Sequence, residues 1–266
     1  MYETTYHRAG SVADAASMMA SAEDGKYLGG GQTLLPTMKQ RLAAPSDLID
    51  LAKIADLQGI SEAGGAIVIG AGTTHAEVAS SAAVKSKLPG LATLAAGIGD
   101  PAVRHKGTIG GSIANNDPAA DYPSALIALG ATVKTNKREL VAEDFFTGMF
   151  ETALEDDEIV TSISFPVAAK SAYAKYPNPA SRYAMAGVFV AKGADGSVKV
   201  AVTGAGQDGV FRVGEMESAL SSNWSPDAVA GISVSADNLL SDIHGSAAYR
   251  ANLVTVMAKR AVAAAG

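Results

Sequence analysis

Two short glycine-rich loops in the first half of the chain carry the residue types best suited to bind a ligand. They are Gly29-Gly30-Gly31-Gln32-Thr33 and Thr108-Ile109-Gly110-Gly111-Ser112, which combine residues lacking a Cβ atom with residues bearing a hydroxyl. Backbone N–H groups beside a helix N-terminus are unpaired donors at the positive end of the helix dipole, so they bind anions. Each loop taken singly is typical of a tight turn. The two together indicate a phosphate-bearing ligand held without lysines, with bare glycines at Gly110 and Gly111 leaving the phosphate's approach path open.

A third glycine segment matches a nucleotide-binding pattern in its letters only. Gly204-Ala205-Gly206-Gln207-Asp208-Gly209 fits GxGxxG, the dinucleotide fingerprint. That fingerprint has to open a helix, because the helix N-terminus meets the pyrophosphate. The residues that follow, Val210-Phe211-Arg212-Val213, are typical of a strand. We therefore predict a turn between antiparallel strands here.

Composition excludes several classes of function. The chain has 266 residues, with 21 basic and 27 acidic side chains and a net charge of −6, so it lacks the basic excess that nucleic-acid binding needs. It contains no cysteine, which excludes disulfides, a thiol nucleophile and iron–sulfur ligation by this chain. The four histidines have no metal-ligand spacing. We see no catalytic dyad or triad and expect no metal site.

The N-terminus shows no basic leader followed by an apolar run, and no stretch reaches the roughly 18 apolar residues of a membrane span. We therefore expect neither a signal peptide nor a membrane span, and a cytoplasmic location.

The two glycine loops lie in a region where helix and strand patterns alternate. Ser11 with Asp14 and Thr74 with Glu77 have capping-box spacing, which predicts that helices begin there. Thr33 and Asp121 are predicted caps of the helices that follow the two loops.

Beyond Pro166 the pattern changes. Residues 176–179 (Tyr-Pro-Asn-Pro) predict a loop, and strand patterns are then followed by helical ones, with a long helix from Ser246 to Ala265. Strands followed by helices predict an α+β unit beginning near residue 170.

Several segments together resemble one known family. They are Gly29–Pro36, Ile98–Arg104, Thr108–Ser112, Ala114–Pro123 and Asn178–Tyr183. The sequence resembles the FAD-binding medium subunit of carbon monoxide dehydrogenase-type molybdenum hydroxylases, relatives of the flavin domain of xanthine dehydrogenase. The resemblance spans essentially the whole chain.

The resemblance implies an α+β fold in three parts. A PCMH-type FAD-binding domain would cover residues 1–168 and consist of two α/β subdomains, about 1–52 and 53–168. A smaller α+β C-terminal domain would cover residues 169–266.

The resemblance also implies the site. The pyrophosphate of FAD would lie between the two glycine loops. Asp121 would help hold the adenosine side, Lys175 would lie near the flavin, Tyr183 would lie against the isoalloxazine, and Ile98 and Val160 would be apolar flavin neighbours. The implied cofactor-binding residues are Gly29, Gly30, Gly31, Gln32, Thr33, Thr108, Ile109, Gly110, Gly111, Ser112, Asp121, Val160, Lys175 and Tyr183.

Each single residue keeps a plainer interpretation. Asp121 is also a suitable N-cap, Lys175 is also suited to a solvated surface, and Tyr183 and Val160 are also suited to core packing. Gln32 departs from the family pattern, because the carbon monoxide enzymes usually have histidine there; the departure leaves the backbone amides intact but puts a detailed substrate assignment in doubt.

The function implied is electron transfer. Electrons from a molybdenum centre would pass through [2Fe-2S] clusters to FAD on this chain and then to an external acceptor. The molybdenum cofactor would belong to a large partner subunit and the clusters to a small one, in a dimer of heterotrimers. Two alternatives stay open: a self-sufficient flavin oxidoreductase of the same fold, and a non-enzymatic nucleotide-binding module. The substrate of the complex and the electron acceptor are not determined by this sequence.

Overall fold

The N-terminal region is a small parallel sheet with two helices. The computed structural model of the chain describes all residues from Met1 to Gly266. The elements of this region are β1 (Thr5–Arg8), α1 (Val12–Ser21), β2 (Gly25–Leu28), α2 (Leu34–Lys39) and β3 (Asp47–Asp50). β3 lies between β1 and β2 and pairs parallel with both. The Ser11 hydroxyl accepts the Asp14 amide at 3.1 Å, so the predicted start of α1 is confirmed.

The middle region is built on a five-stranded sheet in which every pairing is antiparallel. Its order is β4-β5-β10-β6-β7. The strands are β4 (Ile60–Ala63), β5 (Ala66–Gly70), β6 (Thr132–Thr135), β7 (Glu139–Val141) and β10 (Val160–Pro166), and a separate two-stranded ribbon is formed by β8 (Phe146–Gly148) and β9 (Glu151–Thr152). β4 and β5 form a hairpin whose turn contains Gly64 and Gly65.

Seven helices belong to the middle region. They are α3 (His75–Ser80), α4 (Ala82–Lys87), α5 (Pro89–Ala96), α6 (Pro101–Arg104), α7 (Ile109–Asn115), α8 (Tyr122–Leu129) and α9 (Ala142–Phe145). Thr74 and Glu77 form the predicted capping box at the start of α3. Every residue of α8 is buried, which agrees with its almost entirely apolar sequence. This helix lies at the centre of the largest hydrophobic core.

The C-terminal region is a four-stranded antiparallel sheet followed by helices. The elements are β11 (Lys170–Pro177), β12 (Ala184–Lys192), β13 (Val198–Thr203), β14 (Phe211–Arg212), α10 (Gly214–Ser222), α11 (Pro226–Val229) and α12 (Ala247–Ala265). The predicted loop at residues 176–179 begins too early, because β11 continues to Pro177 with a register shift between Tyr176 and Pro177. Pro177 is tolerated because it lies at the end of an edge strand.

This third sheet is buried on both faces. Tyr173, Phe189 and Ala201 belong to the core that contains α5 and α8. Val188 and Val190, one residue out of phase, belong to a second core with α10 and α12. Side chains alternate between the two faces of a strand. Because both faces of this sheet are buried, the sequence of β12 is a nearly continuous apolar run. The boundary between residues 168 and 169 stays a prediction, because the sheet beyond it packs against the middle region over one whole face.

Two predicted helix caps are wrong. Thr33 precedes α2, but its side chain accepts no hydrogen bond from the helix. Asp121 precedes α8 in helical conformation, and its side chain also makes no cap. The carboxylate of Asp121 is directed to β11 instead, where the Tyr173 hydroxyl and the Lys175 ammonium both donate to it. The prediction for Gly204–Gly209 is confirmed, since this segment joins the antiparallel strands β13 and β14.

No helix of the structure combines the length and the apolar character that crossing a membrane requires.

Candidate cofactor site

The two glycine loops pack directly against each other. A Cβ atom on Gly29 would lie 3.1 Å from the hydroxyl oxygen of Thr108. A Cβ atom on Gly30 would overlap the carbonyl oxygen of Lys106 and lie 2.6 Å from the Cα of Gly107. Glycine is required at Gly30 because the backbones approach so closely that no side chain fits. The two loops are far apart in the sequence but lie against each other in the fold, as the two-loop interpretation requires.

The first loop presents a run of unpaired backbone donors. Across Gly29–Thr33 no amide donates to a backbone or side-chain acceptor, although the carbonyls of Gly31 and Thr33 accept the amides of Leu35 and Thr37. Gly31 has a φ of +72°, in the left-handed region that favours glycine. Successive N–H groups in such a turn, at the start of a helix, form a concave site for an anion. Glycine at three successive positions leaves that concave face without side chains.

The second loop is different, because its amides are already bonded. The Ile109 amide donates to Thr73 O at 3.0 Å and the Gly110 amide to Ala71 O at 2.8 Å. The Gly111 amide donates to the Thr108 hydroxyl at 3.1 Å, which caps α7. The expectation of bare amides in this loop is therefore wrong at these three positions.

The two glycines of the second loop also differ from each other. Gly110 is buried, and a Cβ there would lie 2.6 Å from Ala71 Cβ, so this glycine is needed for packing and not for a phosphate's approach. Gly111 is exposed, and its Cβ would meet only the Thr108 hydroxyl, at 2.9 Å. Ser112 lies further along α7 and is half-buried. Gly111 alone fits the expected role of keeping an approach path open.

A buried histidine packs against the second loop on the side of the core. The His75 amide donates to Gly107 O at 3.0 Å, and a Cβ on Gly107 would lie 2.6 Å from the Nε2 atom of His75. Burial, together with the charge of Arg104, lowers the pKa of His75 to about 4. The ring is therefore neutral at physiological pH, which suits a group packed inside the core beside a guanidinium.

Asp121 lies at the centre of a buried polar cluster that sequence spacing does not reveal. The Lys175 ammonium is 3.0 Å from Oδ1 and donates to Oδ2 of Asp121 at 3.2 Å, and the Tyr173 hydroxyl donates to Oδ1. Lys175 also donates to the carbonyl of Gly97 at 2.9 Å. Burial raises the pKa of Asp121, and the charge of Lys175 acts in the opposite direction.

The ion pair constrains the roles of its two members. Asp121 is 5% exposed, and both of its carboxylate oxygens already accept hydrogen bonds. Asp121 was expected at the adenosine end of FAD and Lys175 at the flavin end. The two side chains are in contact, although these are opposite ends of the dinucleotide. The two roles are compatible only with a cofactor that folds back on itself.

Tyr183 lies near this cluster and is 48% exposed. Partial burial raises the pKa of its hydroxyl, and so do the nearby charges of Asp117 and Asp121. An aromatic ring left half-exposed beside a buried ion pair is available to a planar ligand. The plainer interpretation of Tyr183 as a core residue does not fit this exposure.

The apolar candidates differ in their exposure. Ile98 is partly buried against the largest core, in the loop whose carbonyls at Ile98 and Gly99 accept Arg104 at 2.9 and 3.0 Å. Val160 is 6% exposed in the same core. Of the predicted residues, the structure brings together the two loops and, separately, Asp121, Lys175 and Tyr183; it shows no contact of Val160 with either group.

Sequence reasoning missed the residues that hold the site in place. Tyr173 and Gly97 bind the Asp121–Lys175 pair, and His75 supports the second loop. Asn116, with a φ of +42°, donates to Gly148 O and Glu151 O, both at 2.8 Å. Asn116 could have been identified from its residue type, because asparagine is one of the residues that commonly end a helix in the left-handed conformation. The others are long-range contacts without a local signal.

The model of the FAD-binding domain in molybdopterin dehydrogenases matches residues 2–168. The chain belongs to this family. The predicted family and cofactor, FAD, are thereby confirmed, as is the oxidoreductase class to which the family belongs.

Two relatives extend the likeness over nearly the whole chain. It is 36% identical to the nicotine 6-hydroxylase medium subunit of Paenarthrobacter nicotinovorans, over 98% of this chain and 96% of that protein. It is 35% identical to the carbon monoxide dehydrogenase medium chain of Hydrogenophaga pseudoflava, with the same coverage of 98% and 96%. Both relatives are named as medium subunits, that is, as one chain of a larger complex.

A solved structure agrees in fold. The chain superposes on quinoline 2-oxidoreductase from Pseudomonas putida 86 with a TM-score of 0.88 and 27% identity, covering 99% of this chain and 96% of that one. The predicted fold class is thereby confirmed. The three relatives are named for three different substrates.

Proposed function

We propose that this chain is the FAD-binding electron-transfer subunit of a molybdenum hydroxylase complex and that Gly29–Thr33 holds the cofactor's diphosphate. The observation that carries the proposal is the run of unpaired amides in this loop, packed against the second glycine loop. Charge-assisted hydrogen bonds of this kind are worth roughly 1.5–3 kcal/mol each. A few of them fix a diphosphate without any lysine, which agrees with the low basic content of the chain.

The second loop contributes mainly by shape. Thr108 caps α7 and contacts Gly29, so it sets the distance between the loops. Gly111 keeps the open side free of side chains. Ile109 and Gly110 keep the loop attached to the core through Thr73 and Ala71.

We assign the flavin to the side of the site that contains Lys175 and Tyr183. Tyr183 offers a half-exposed aromatic face, and Lys175 is a cation whose position is fixed by Asp121 and Gly97. In this proposal Asp121 acts at the flavin side by orienting Lys175, which replaces the adenosine-side role implied by the resemblance. Ile98 keeps its expected role as an apolar flavin neighbour, whereas the burial of Val160 in the core favours its plainer interpretation as a packing residue.

FAD supplies the one- and two-electron redox chemistry when it is bound. The residues of this chain bind it, orient it and limit its contact with water. Because the chain has no cysteine, iron–sulfur clusters have to be held by another chain. We propose a large molybdenum-cofactor subunit and a small iron–sulfur subunit as partners, in a cytoplasmic dimer of heterotrimers.

A direct test is the cofactor content of the purified full-length chain. We expect the flavin absorption bands, stoichiometric FAD after denaturation as identified by mass spectrometry, and co-purification with two partner chains. A colourless protein that binds AMP as well as FAD would favour the nucleotide-binding module. Turnover of a small substrate by the chain alone would favour the self-sufficient oxidoreductase.

A further inference from the structure

A buried guanidinium lies in the C-terminal region, away from the two glycine loops. Arg250, on α12, is 4% exposed. Its Nη1 donates to Met185 O at 2.7 Å and to Gly204 O at 2.9 Å, and its Nη2 donates to Asp242 Oδ2 at 2.7 Å. A buried charge is costly unless it is paired and hydrogen-bonded, so such an arrangement needs all of these acceptors in place.

The backbone of Gly204 connects this guanidinium to another segment of the chain. Its carbonyl accepts Arg250, and its amide donates to Pro118 O at 2.9 Å. Gly204 has a φ of +78°, and a Cβ there would overlap the carbonyl oxygen of Ala184. The first glycine of the GxGxxG segment is therefore required for a sharp bend in which both the amide and the carbonyl of one residue form hydrogen bonds.

The segment that Gly204 binds is the one that carries Asp121. Thr203, beside Gly204, donates to Pro118 O at 3.2 Å and to Ala120 O at 2.6 Å. The hydrogen bonds of Thr203 and Gly204 thus fix the backbone immediately before Asp121, whose carboxylate holds Lys175.

We propose that Arg250 is a positioning residue for the cofactor site. Its guanidinium holds the carbonyl of Gly204 in place. The Gly204 amide and the Thr203 hydroxyl then hold Pro118–Ala120. This segment positions Asp121, and the carboxylate of Asp121 positions Lys175. Arg250 itself touches none of the residues assigned to the cofactor. The part of the inference that concerns FAD rests on the proposed function, whereas the fixing of Pro118–Ala120 does not.

The test compares Arg250→Met with Arg212→Met in the full-length chain. Both variants remove an arginine of the C-terminal region, but Arg212 is an exposed residue paired with Glu143 and Glu217. Hydrogen exchange in the cofactor-free protein should be at least about tenfold faster for residues 116–121 in Arg250→Met, because opening of this segment becomes easier. It should be unchanged there in Arg212→Met.

Cofactor readouts separate positioning from general stability. At a temperature where both variants are folded, Arg250→Met should bind FAD about tenfold more weakly than the wild type, equivalent to about 1.4 kcal/mol, and should shift the visible circular dichroism of the bound flavin. Arg250→Lys, which keeps the charge, should recover part of the affinity. Thr203→Val tests the same connection without removing a charge, and it serves if Arg250→Met fails to fold.

Wild-type exchange at residues 116–121 in a folded Arg250→Met protein, or in Thr203→Val if only that variant folds, would overturn the inference. So would wild-type affinity with an unchanged flavin spectrum. A wild-type chain that binds no FAD would instead refute the proposed function, and the exchange experiment would still decide whether Arg250 fixes the segment before Asp121.

Discussion

The two glycine loops are alike in composition and opposite in the use of their backbone. In Gly29–Thr33 the amides are unpaired, whereas the Ile109, Gly110 and Gly111 amides of the second loop are bonded within the chain. The first loop leads into a short helix at the surface. The second begins α7 and is attached to the main core through Thr73 and Ala71.

This difference shows that similar glycines in such loops can have at least two separate structural roles. At Gly30 and Gly110 the absent side chain permits two backbones to approach closely. At Gly111, which is exposed, an added Cβ would meet only the Thr108 hydroxyl and no backbone. Only the structure distinguishes these roles, because the residue types and the neighbouring hydroxyls are the same. Four experiments test the comparison.

The largest expected effect is on the first loop. In Gly30→Ala the new Cβ would overlap Lys106 O and force the loops apart, so at least two charge-assisted bonds to the diphosphate would be lost. We expect FAD affinity to fall by more than about 100-fold and the free energy of unfolding to fall by about 2 kcal/mol, because the clash is with backbone atoms. Gly214→Ala is the matched control, because a Cβ there has no neighbour within 4 Å. Wild-type affinity of Gly30→Ala, measured by titration calorimetry, would contradict a diphosphate site at this loop.

The attachment of the second loop to the core predicts sensitivity to acid. The folded-state pKa of His75, about 4, lies below its unfolded value near 6.5. The unfolded chain therefore binds a proton first as the pH falls. The free energy of unfolding should decrease between about pH 6.5 and pH 4 by on the order of 3 kcal/mol from this group.

Urea denaturation across this pH range measures the effect. His75→Gln should lack this component, and His244→Gln, which replaces an exposed histidine, should keep it. Identical pH profiles of the wild type and His75→Gln would argue against a neutral, buried imidazole beneath Gly107.

Gly110 and Gly111 should separate folding from binding. Gly110→Ala crowds Ala71 in the core, so we expect the free energy of unfolding to fall by about 2 kcal/mol. Gly111→Ala brings a Cβ to 2.9 Å from the Thr108 hydroxyl, which caps α7, so we expect the free energy of unfolding to fall by only about 1 kcal/mol and FAD affinity to fall about tenfold. Chemical denaturation and FAD titration of both variants measure this; the reverse assignment of effects would refute the distinction between the two glycines.

The smallest effect is expected at Gln32. Its side chain is exposed, and its contribution to the diphosphate site is the backbone amide, which Gln32→His retains. FAD affinity should change by less than about threefold, or about 0.7 kcal/mol. A larger change in the binding isotherm would mean that the side chain itself contacts the cofactor.

Local patterns predicted much of the fold. The predicted helix starts at Ser11 and Thr74 depend on residues three apart, and both are confirmed; Thr74 forms the full capping box, whereas at Ser11 only the bond from the Asp14 amide to the hydroxyl forms. The end of β11 was missed because residues 176–179 contain two prolines, although an edge strand tolerates one at its end. The helix α7 was missed because two glycines in its first turn lower its helix propensity, and tertiary bonds from Thr73 and Ala71 overcome this.

The site was predictable only where its parts are contiguous. The two loops were identified from their composition, but their different hydrogen bonding depends on what packs beneath them. Asp121 meets Tyr173 and Lys175 across separations of 52 and 54 residues, a contact that no spacing rule contains. The pairing explains why Asp121 is not the helix cap that its position indicated.

The sheet of β11–β14 has a consequence for protein engineering. Tyr173, Phe189 and Ala201 complete the core around α8, so a fragment ending at residue 168 would leave a broad apolar surface in contact with water. Such a fragment should aggregate even though it contains both glycine loops. Module exchange between relatives would therefore have to transfer the whole chain, or redesign the surface left behind.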